Sequence, residues 1–322
     1  MPQREPAVLT WLRDQLARKR PGQEPVSAVH PSVAVITDSA AALPLDWTGS
    51  LPDDGRLAIV PMPVLVGDEI FGEGVDDLGE SIALALAAGK PVRTSRPSPG
   101  QFERAFRSAR ARGFESAVSV HISGALSGTV EAALLAASRT DFPVEVIDSR
   151  TAGMAQGFGV QGALLAAASG LDRAGVAAAA TAQLAAARIY FYVPSLDQLR
   201  RGGRIGAAAS LLGTVFAIKP LLSVQEGRII PLERVRSSAR AVARLEELVL
   251  ADIAARPAGM AKAAVHHFGN EAQAREFAGR LASGVPELSE IMVTGLPAVL
   301  AAHAGLGVLA VIVGEDRADT VV

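Results

Sequence analysis

No cysteine occurs in this sequence, and its 31 basic and 33 acidic residues nearly cancel. The absence of cysteine excludes a disulfide framework, a thiolate nucleophile and a Cys-based metal site, a composition that suits a reducing cytoplasm. The formal net charge of -2 leaves no surplus to hold nucleic acid or an anionic membrane. These absences predict a cytoplasmic protein without a polyanionic partner.

Long apolar runs are also missing, although the mean hydropathy is +0.29. The apolar residues are dispersed among charged ones, so no membrane-spanning helix is predicted. Near the amino terminus, the apolar patch around Trp11 precedes the basic residues Arg18, Lys19 and Arg20, which is the reverse of a secretory signal. Residues 1–30 are therefore interpreted as an N-terminal extension with one amphipathic helix, expected to pack on its own domain.

The remaining sequence alternates short apolar runs with alanine-rich stretches, which is typical of strands covered on both faces by crossover helices. In the first half the pattern predicts strands over residues 33–37, 58–65, 117–122 and 144–147, and helices over residues 100–111, 128–138 and 154–168. In the second half it predicts strands over residues 189–193, 220–224, 229–235, 263–267, 291–293 and 308–313.

Two domains are expected at this length. A hairpin around residues 225–227 indicates antiparallel pairing in the second half. The predicted fold class is α/β, with a Rossmann-like N-terminal sheet domain (residues 31–152) and a C-terminal α+β domain (residues 153–322). No low-complexity linker separates them, so packed domains with a ligand cleft between them are expected.

Hydroxyl-rich segments are the first candidates for ligand binding, and the one at the end of the first predicted strand lies where open α/β sheets bind ligands. In residues 93–96 (RTSR), the adjacent hydroxyls of Thr94 and Ser95 can donate to one carboxylate or phosphate. Ser98 equally suits the start of a helix, so binding and capping both stay open for this loop. After the first strand, Asp38 is interpreted as a helix cap in preference to a substrate ligand.

The segment over residues 123–129 (SGALSGT) joins a strand to a helix. Its glycines allow close backbone approach, and the amides at a helix start, together with the macrodipole, favour an anion. No lysine follows Gly128, so this is not a Walker loop, and the spacing is not that of a dinucleotide site. The segment is the strongest candidate anion site in the chain.

Arginines surround a Gly-Gly pair at Arg200, Arg201 and Arg204. The neutral charge balance and the lack of interleaved aromatic residues argue against nucleic acid here, so a polar domain junction or a surface for a protein partner is predicted. Arg236, beyond the hairpin, could extend its guanidinium toward the cleft, although an isolated arginine is more often a solvated surface residue.

Histidines are few. The small neighbours of His303 leave room for a ligand whose carboxylate the imidazole could bind. His266 and His267 are adjacent on a predicted strand, so they face opposite ways and cannot act as a pair. No paired spacing of the HExxH kind occurs, so no metal site is predicted.

Together these motifs resemble those of the DegV family, in the same order, over roughly residues 33 to 313. VAVITDSAAALP resembles the family's opening strand and TDS turn, RTSRPSPGQFERAF its TSQPS loop, and VHISGALSGTVEAA its SSxLSGT segment. LRRGGRIGAAASLLGTVFAIKPLLSVQEG is similar to its GGR, KP and DG block. Where the family has GTH and GPG, this chain has AAH and GLG, and the histidine is retained.

The resemblance implies a protein that binds one long-chain fatty acid, such as palmitate or oleate, between two domains. It also implies a non-catalytic subunit that presents the carboxylate to a separate ATP-binding kinase subunit for acyl-phosphate formation, with no other cofactor. Arg200, Arg201 and Arg204 would form the docking surface. By resemblance the ligand-binding residues are Thr94, Ser95, Ser123, Ser127, Gly128, Thr129, Arg236 and His303.

Two alternatives are weighed against this interpretation. One is an acyl hydrolase with Ser127 as nucleophile and His303 as base, which lacks the GxSxG elbow and an aspartate placed to orient the histidine. The other is a module for a small polar ligand such as dihydroxyacetone, suggested by a general likeness of the N-terminal domain to dihydroxyacetone kinase subunits.

Overall fold

The computed structural model describes residues 31–67, 69–72, 78–211, 218–288 and 291–316, so the predicted N-terminal extension lies outside the described residues. The strands are β1 (Val33–Asp38), β2 (Leu57–Val60), β3 (Pro63–Val66), β4 (Glu69–Gly72), β5 (Val92–Thr94), β6 (Ser116–His121), β7 (Val144–Asp148), β8 (Arg188–Tyr192), β9 (Lys219–Gln225), β10 (Arg228–Val235), β11 (Ala261–His267), β12 (Ile291–Gly295) and β13 (Leu309–Glu315). The helices are α1 (Leu45–Gly49), α2 (Leu78–Ala87), α3 (Pro99–Ala111), α4 (Thr129–Ala137), α5 (Met154–Ala168), α6 (Arg173–Ala186), α7 (Asp197–Arg201), α8 (Ser238–Ala254), α9 (Glu271–Gly284) and α10 (Ala298–Ala304).

The first half forms a sheet of four parallel strands in the order β2-β1-β6-β7, called the parallel sheet below. Its central strand β1 (VAVITD) is buried along its whole length. Helices α3 and α4 cover one face, and α5 and α6 cover the other. A continuous apolar strand buried on both faces is what a parallel sheet requires, so the predicted α/β class is confirmed.

The second half forms a six-stranded sheet in the order β10-β9-β8-β13-β11-β12, called the mixed sheet. Only the pair β11–β12 is parallel among its described pairings. The predicted hairpin is confirmed: β9 and β10 pair across a two-residue turn in which Glu226 and Gly227 both have positive φ. Helices α8 and α9 cover one face of the mixed sheet, and the other face turns toward the first half.

The prediction of one strand over residues 58–65 is wrong. The structure divides this segment into β2, which joins the parallel sheet, and β3, which lies in a separate antiparallel sheet of the order β4-β3-β5. Pro61 and Pro63 supply the reason, because a proline has no N–H to donate to a strand ladder. The small sheet packs against α10, so a segment of the first half contacts the second.

The helices that follow the expected domain boundary at Ala152 pack on the parallel sheet. Val160 on α5 and Val176 on α6 lie in one apolar cluster with Val33 and Val35 of β1. The division of the chain into residues 31–152 and 153–322 therefore stays a prediction. Within the described residues, no helix is long and apolar enough to cross a membrane.

Candidate functional site

A cavity of about 330 Å³ lies where loops of the first half meet the inner face of the mixed sheet and helix α10. This volume is at the lower end of the range of small-molecule sites. Most of its wall is apolar. The apolar side chains are Met62, Ile122, Leu126, Ala152, Ile189, Phe191, Leu199, Val224, Ile229, Leu296, Val299, Leu300, Ala304, Val308, Ala310 and Ile312.

Polar side chains gather in one part of this wall, and they come from distant parts of the chain. Thr94 ends β5, Ser127 precedes α4, Arg204 follows α7, and His303 lies on α10. We call these four residues the mouth cluster. Thr94 and His303 are joined directly, because Thr94 Oγ1 lies 2.8 Å from Nε2 of His303.

The His303 imidazole is held neutral. Burial, with a smaller contribution from the positive charge of Arg204, lowers the pKa of His303 to about 4. Its Nδ1 is buried and has no hydrogen-bond partner among the described residues. A Cβ added at Gly202 would lie only 2.7 Å from Cε1 of this ring, so the glycine is what allows the imidazole its position. Sequence reasoning noted the Gly-Gly pair but not this contact.

The tautomer of His303 determines what Thr94 can offer a ligand. With the proton on Nε2, the ring donates to Thr94 Oγ1, and the hydroxyl hydrogen of Thr94 is free to donate into the cavity. This tautomer also leaves a bare ring nitrogen, rather than a buried N–H, without a partner. The pair then presents a hydrogen-bond donor, which is what a carboxylate needs.

The start of α4 borders the same part of the cavity. Ser127 and Gly128 line the wall, and the Ser127 hydroxyl lies 2.8 Å from that of Thr129. The partial positive charge of a helix N-terminus favours an anion here. Arg204 is fixed nearby, because its Nε donates to the carbonyl of Leu126 at 3.0 Å and its Nη1 to that of Gly202 at 2.5 Å.

The loop over residues 93–96 borders the cavity, and the residues that follow it form the start of helix α3. Thr94, Ser95 and Arg96 line the cavity. The backbone amide of Ser98 donates to the side chain of Gln101 at 2.8 Å, at the start of α3. Ser98 therefore caps α3, while the neighbouring Thr94 and Ser95 border the cavity, where their binding of a ligand stays a prediction.

Three of the predicted ligand-binding residues are not on the cavity wall. Ser123 is almost fully buried, and its hydroxyl donates to the carbonyl of Gly227 at the tip of the β9–β10 hairpin, 2.9 Å away. Thr129 is fully buried beneath Ser127, and Arg236 is exposed beyond β10. Of the arginines predicted for docking, Arg204 lines the cavity instead, because its guanidinium is bound to backbone carbonyls at the mouth.

His266 lines the cavity and was not predicted to do so. Its Nε2 accepts a hydrogen bond from the amide of Met154, the first residue of α5, at 3.0 Å, and its Nδ1 donates to the carbonyl of Thr294 at 3.4 Å. Burial lowers the pKa of His266 to about 4. With both nitrogens bonded, His266 offers the cavity a neutral ring. The pattern of adjacent histidines gave no signal of a partner 112 residues away.

A second polar group lies at the carboxyl ends of β1 and β6, and we call Thr37, Asp38, Ser119, His121 and Gln156 the sealed cluster. All five are fully buried, and none is on the cavity wall. His121 Nδ1 lies 2.9 Å from Asp38 Oδ2, and its Nε2 lies 2.7 Å from the hydroxyl of Ser119. The arrangement has the order of a Ser-His-Asp triad, but it has no solvent or ligand access.

The capping interpretation of Asp38 is confirmed, because its Oδ1 accepts from the amide of Ala40 at 3.0 Å. At His303 the hydrolase geometry does not occur: Thr94 rather than Ser127 meets the bonded nitrogen, and the other nitrogen has no partner among the described residues. Among all the residues that the structure describes, no group of three or more His, Asp or Glu side chains is placed to hold a metal ion.

Comparison with protein families gives one match that covers most of the chain. A family model described as an uncharacterised protein of the DegV family matches residues 32–316. A DegV domain-containing protein of Streptomyces coelicolor is 42% identical over 283 residues, which are 88% of this chain and 98% of that protein. One from Mycobacterium tuberculosis is 38% identical over 283 residues, covering 88% of this chain and 97% of the other.

Solved structures of two relatives have the same fold. A DegV family protein from Thermus thermophilus, described by its fatty acid binding, superposes with a TM-score of 0.80 at 31% identity, over 88% of this chain and 99% of that one. DegV from Bacillus subtilis, described as a fatty acid binding protein, gives a TM-score of 0.79 at 26% identity, over 89% and 100% of the two chains.

Proposed function

The chain belongs to the DegV family, and from this membership and the geometry of its cavity we propose that it binds one long-chain fatty acid. The observation that carries the proposal is the cavity itself, which has an apolar wall and hydroxyl and imidazole groups gathered at one end. A fatty acid has the same division into a long apolar tail and one small polar group. The relatives from Thermus thermophilus and Bacillus subtilis, described as binding fatty acids, support the same ligand class.

The carboxylate is bound by the mouth cluster in this proposal. The hydroxyls of Thr94 and Ser127 donate to its oxygens, and the helix α4 terminus and the Arg204 guanidinium supply positive potential. His303 acts through Thr94, whose hydroxyl it orients while staying neutral near pH 7. A bound carboxylate thereby exchanges its water for several donors, which is the condition for burying a charge.

The tail supplies most of the affinity. Removing a methylene from water gains roughly 0.8 kcal/mol, so ~15 methylenes give about 12 kcal/mol before the costs of association. Apart from the mouth cluster and the neighbouring Ser95 and Arg96, the polar side chain on the described wall is His266, and both its nitrogens are already bonded within the protein. A small polar ligand such as dihydroxyacetone would leave this wall unfilled.

The protein acts in this proposal as a binding subunit and not as a catalyst. His303 has no carboxylate to orient it among the described residues, and the 123–129 segment lacks the lysine of a nucleotide loop. Phosphorylation of the bound acid to an acyl phosphate requires ATP and Mg²⁺, so a separate kinase subunit is inferred to supply them. That partner would reach the carboxylate at the mouth cluster.

Helix α7 is the proposed docking surface for that subunit. Leu199 points into the cavity, while Arg200 and Arg201 are exposed on the outside of the same helix. Arg200 is paired with Asp197 at 3.3 Å, and Arg201 has no ion-pair partner among the described residues. Arg201 is therefore the cation that an acidic partner surface would meet.

The test of ligand binding is extraction of the purified protein with organic solvent, followed by mass spectrometry. We expect a fatty acid in near-stoichiometric amount, or its uptake from added palmitate or oleate. If the extract is empty and neither acid binds, the proposal is wrong, and binding of dihydroxyacetone should then be measured.

The docking surface is tested by Arg201→Glu, assayed for ATP-dependent acyl phosphate formation with an added kinase subunit. We expect phosphorylation to fall while fatty acid affinity stays unchanged. Arg240→Glu is the matched control, because Arg240 is equally exposed but lies on α8, over the opposite face of the mixed sheet. Normal phosphorylation by Arg201→Glu would exclude α7 as the docking surface.

A further inference from the structure

The residues of the mouth cluster are joined by a row of contacts. Thr94 is bonded to His303, and the His303 ring lies against the backbone of Gly202. Arg204 donates to the carbonyl of Gly202 at 2.5 Å and to that of Leu126 at 3.0 Å. The row therefore begins at the end of β5 and finishes at the loop that precedes α4.

Arg96 connects the two ends of this row. It lies two residues after Thr94 and lines the same cavity. A Cβ added at Gly128 would lie 2.6 Å from Nη1 of Arg96 and 3.0 Å from its Cδ, so the Arg96 side chain lies against the backbone of Gly128. The polar groups of the cavity thus form a closed ring, and it was not evident from the sequence that Arg96 completes it.

The charge of Arg96 has no partner within the ring. Whereas Arg204 is bonded to two carbonyls, the Arg96 guanidinium has neither a hydrogen bond nor an ion pair among the described residues. Gly128, which it contacts, is the N-cap of α4, and no side chain caps this helix. The positive potential of the helix start therefore adds to that of the guanidinium.

Acidic side chains do not balance this potential on the cavity wall. In the part of the chain that the structure describes, two arginines and no aspartate or glutamate line the cavity. The carboxylates of Asp148 and Glu131 lie near Gly124 instead, at 3.0 Å and 3.8 Å from the position of an added Cβ. An anion bound inside the ring would supply the missing negative charge.

We propose that Arg96 pairs with the carboxylate of the ligand and makes the site favour ionised acids over neutral lipids with the same tail. The inference rests on the proposed function, since it concerns the head group of the same fatty acid. A guanidinium donates two parallel hydrogen bonds to a carboxylate. The motif TSQPS has glutamine where this chain has Arg96, so the added charge is a feature of this sequence.

The strength of this pairing is limited by solvent. Arg96 is exposed, so water and salt screen its attraction for the carboxylate. The tail still provides most of the affinity, and Arg96 distinguishes between head groups. A neutral alcohol of the same length gains nothing from the guanidinium.

The experiment compares palmitate with hexadecanol, which has the same tail and no charge, by titration of the unchanged protein and of Arg96→Gln. Glutamine keeps a hydrogen-bonding side chain and removes the charge. At low salt we expect the affinity of the variant for palmitate to fall about 5-fold, while its affinity for hexadecanol stays unchanged. Raising NaCl to about 0.5 M should remove most of this difference in palmitate affinity between the two proteins.

The matched control is Arg93→Gln. Arg93 is also exposed and belongs to the same segment, but it is not on the cavity wall and lies on the face of β5 opposite Thr94. Its loss should leave the affinity for palmitate unchanged. Arg96→Lys keeps the charge and should retain most of the salt dependence. Urea unfolding should give all three variants the stability of the unchanged protein, which excludes a loss of binding through misfolding.

Two results would overturn the role of Arg96 while leaving fatty acid binding intact. One is an equal loss of affinity for palmitate and for hexadecanol in Arg96→Gln. The other is a loss of palmitate affinity in Arg96→Gln that is no larger than in Arg93→Gln. If the unchanged protein binds no palmitate at all, the proposed function is wrong, and the role of Arg96 is wrong with it.

Discussion

The sealed cluster and the mouth cluster are both built around a histidine, and they differ in how many ring nitrogens are hydrogen-bonded and in whether a cavity lies beside them. In the sealed cluster both nitrogens of His121 are bonded, and all five residues are fully buried. In the mouth cluster, His303 has one bonded nitrogen and one without a partner among the described residues, and its neighbours border a cavity. A hydroxyl that its imidazole partner leaves free to donate toward a cavity, rather than the order of residue types, distinguishes the candidate binding site from a structural cross-link.

The sealed cluster holds three elements together. Asp38 Oδ2 accepts from His121 Nδ1 and from the amide of Ile122, both at the end of β6. Gln156 of α5 donates to Asp38 Oδ1 at 3.3 Å and to the hydroxyl of Thr37 at 3.0 Å. The carboxylate therefore joins β1, β6 and α5 just below the loop that carries Ser127.

The largest expected effect is the loss of stability in Asp38→Ala. Removing the carboxylate leaves several buried donors without an acceptor, and we expect a decrease of about 3–5 kcal/mol in the free energy of unfolding. Urea unfolding measures it. The control is Asp172→Ala, which removes the N-cap of α6, a bond to the amide of Gly175 at 2.9 Å, from an exposed site. That variant should lose about 1 kcal/mol, and equal losses in the two variants would refute the cross-link.

His266 shares one feature with each cluster. Both its nitrogens are bonded, as in His121, and its ring borders the cavity, as does that of His303. Its pKa is about 4 when folded and 6.5 when unfolded. Above pH 6.5 neither state is protonated there. As the pH falls from 6.5 to 4 the unfolded chain alone takes up the proton, so stability decreases, by on the order of 3 kcal/mol in total.

His266→Gln tests this dependence. Glutamine can still accept from the Met154 amide and donate to the Thr294 carbonyl, but it does not titrate. Urea unfolding at pH 7, 6, 5 and 4 should give the variant a shallower loss of stability than the unchanged protein. His303, whose pKa is also lowered to about 4, contributes to both curves, so only their difference reports on His266. Parallel curves would contradict the prediction.

His303→Ala should weaken fatty acid binding by about 10- to 100-fold, because Thr94 loses the group that orients its hydroxyl toward the carboxylate. Its stability should change little, since one ring nitrogen has no partner to lose. His121→Ala is the opposite case and should lower stability far more than affinity. Titration with palmitate and urea unfolding measure the two losses in both variants. If His303→Ala lost mainly stability and His121→Ala mainly affinity, the roles assigned to the two clusters would be wrong.

The fold follows from sequence to the extent that its signals are local. Buried apolar strands, the alanine-rich helix α5 and the turn at Glu226 and Gly227 are each encoded within a few residues, and each was predicted. The alanine-rich helix α6 was not predicted. The split into β2 and β3 was missed although Pro61 and Pro63 stand in the segment. Two prolines within three residues interrupt a strand, so these prolines could have predicted the split in spite of the continuous apolar run.

Only those residues of the candidate site that belong to a local sequence pattern could be predicted. Thr94, Ser127 and His303 were predicted, because hydroxyl-rich loops after strands and a histidine among small residues are local patterns. The partners that give them roles are far away in the chain: His303 is 209 residues from Thr94. Spacing within one motif does not encode such contacts.

The smallest effects should separate two serines of one segment. Ser123→Ala removes the bond to the Gly227 carbonyl and should cost about 1 kcal/mol of stability, with affinity unchanged. Ser127→Ala removes a hydroxyl on the cavity wall, and its affinity for palmitate should fall a few-fold. It also takes away the partner of the buried Thr129 hydroxyl, so its stability should fall by about 1 kcal/mol as well, and affinity is the quantity that separates the two variants. The same two measurements, unfolding and titration, apply to both. A larger loss of affinity in Ser123→Ala would mean that the hairpin tip positions the carboxylate site, and that the boundary between structural and binding serines lies elsewhere in this loop.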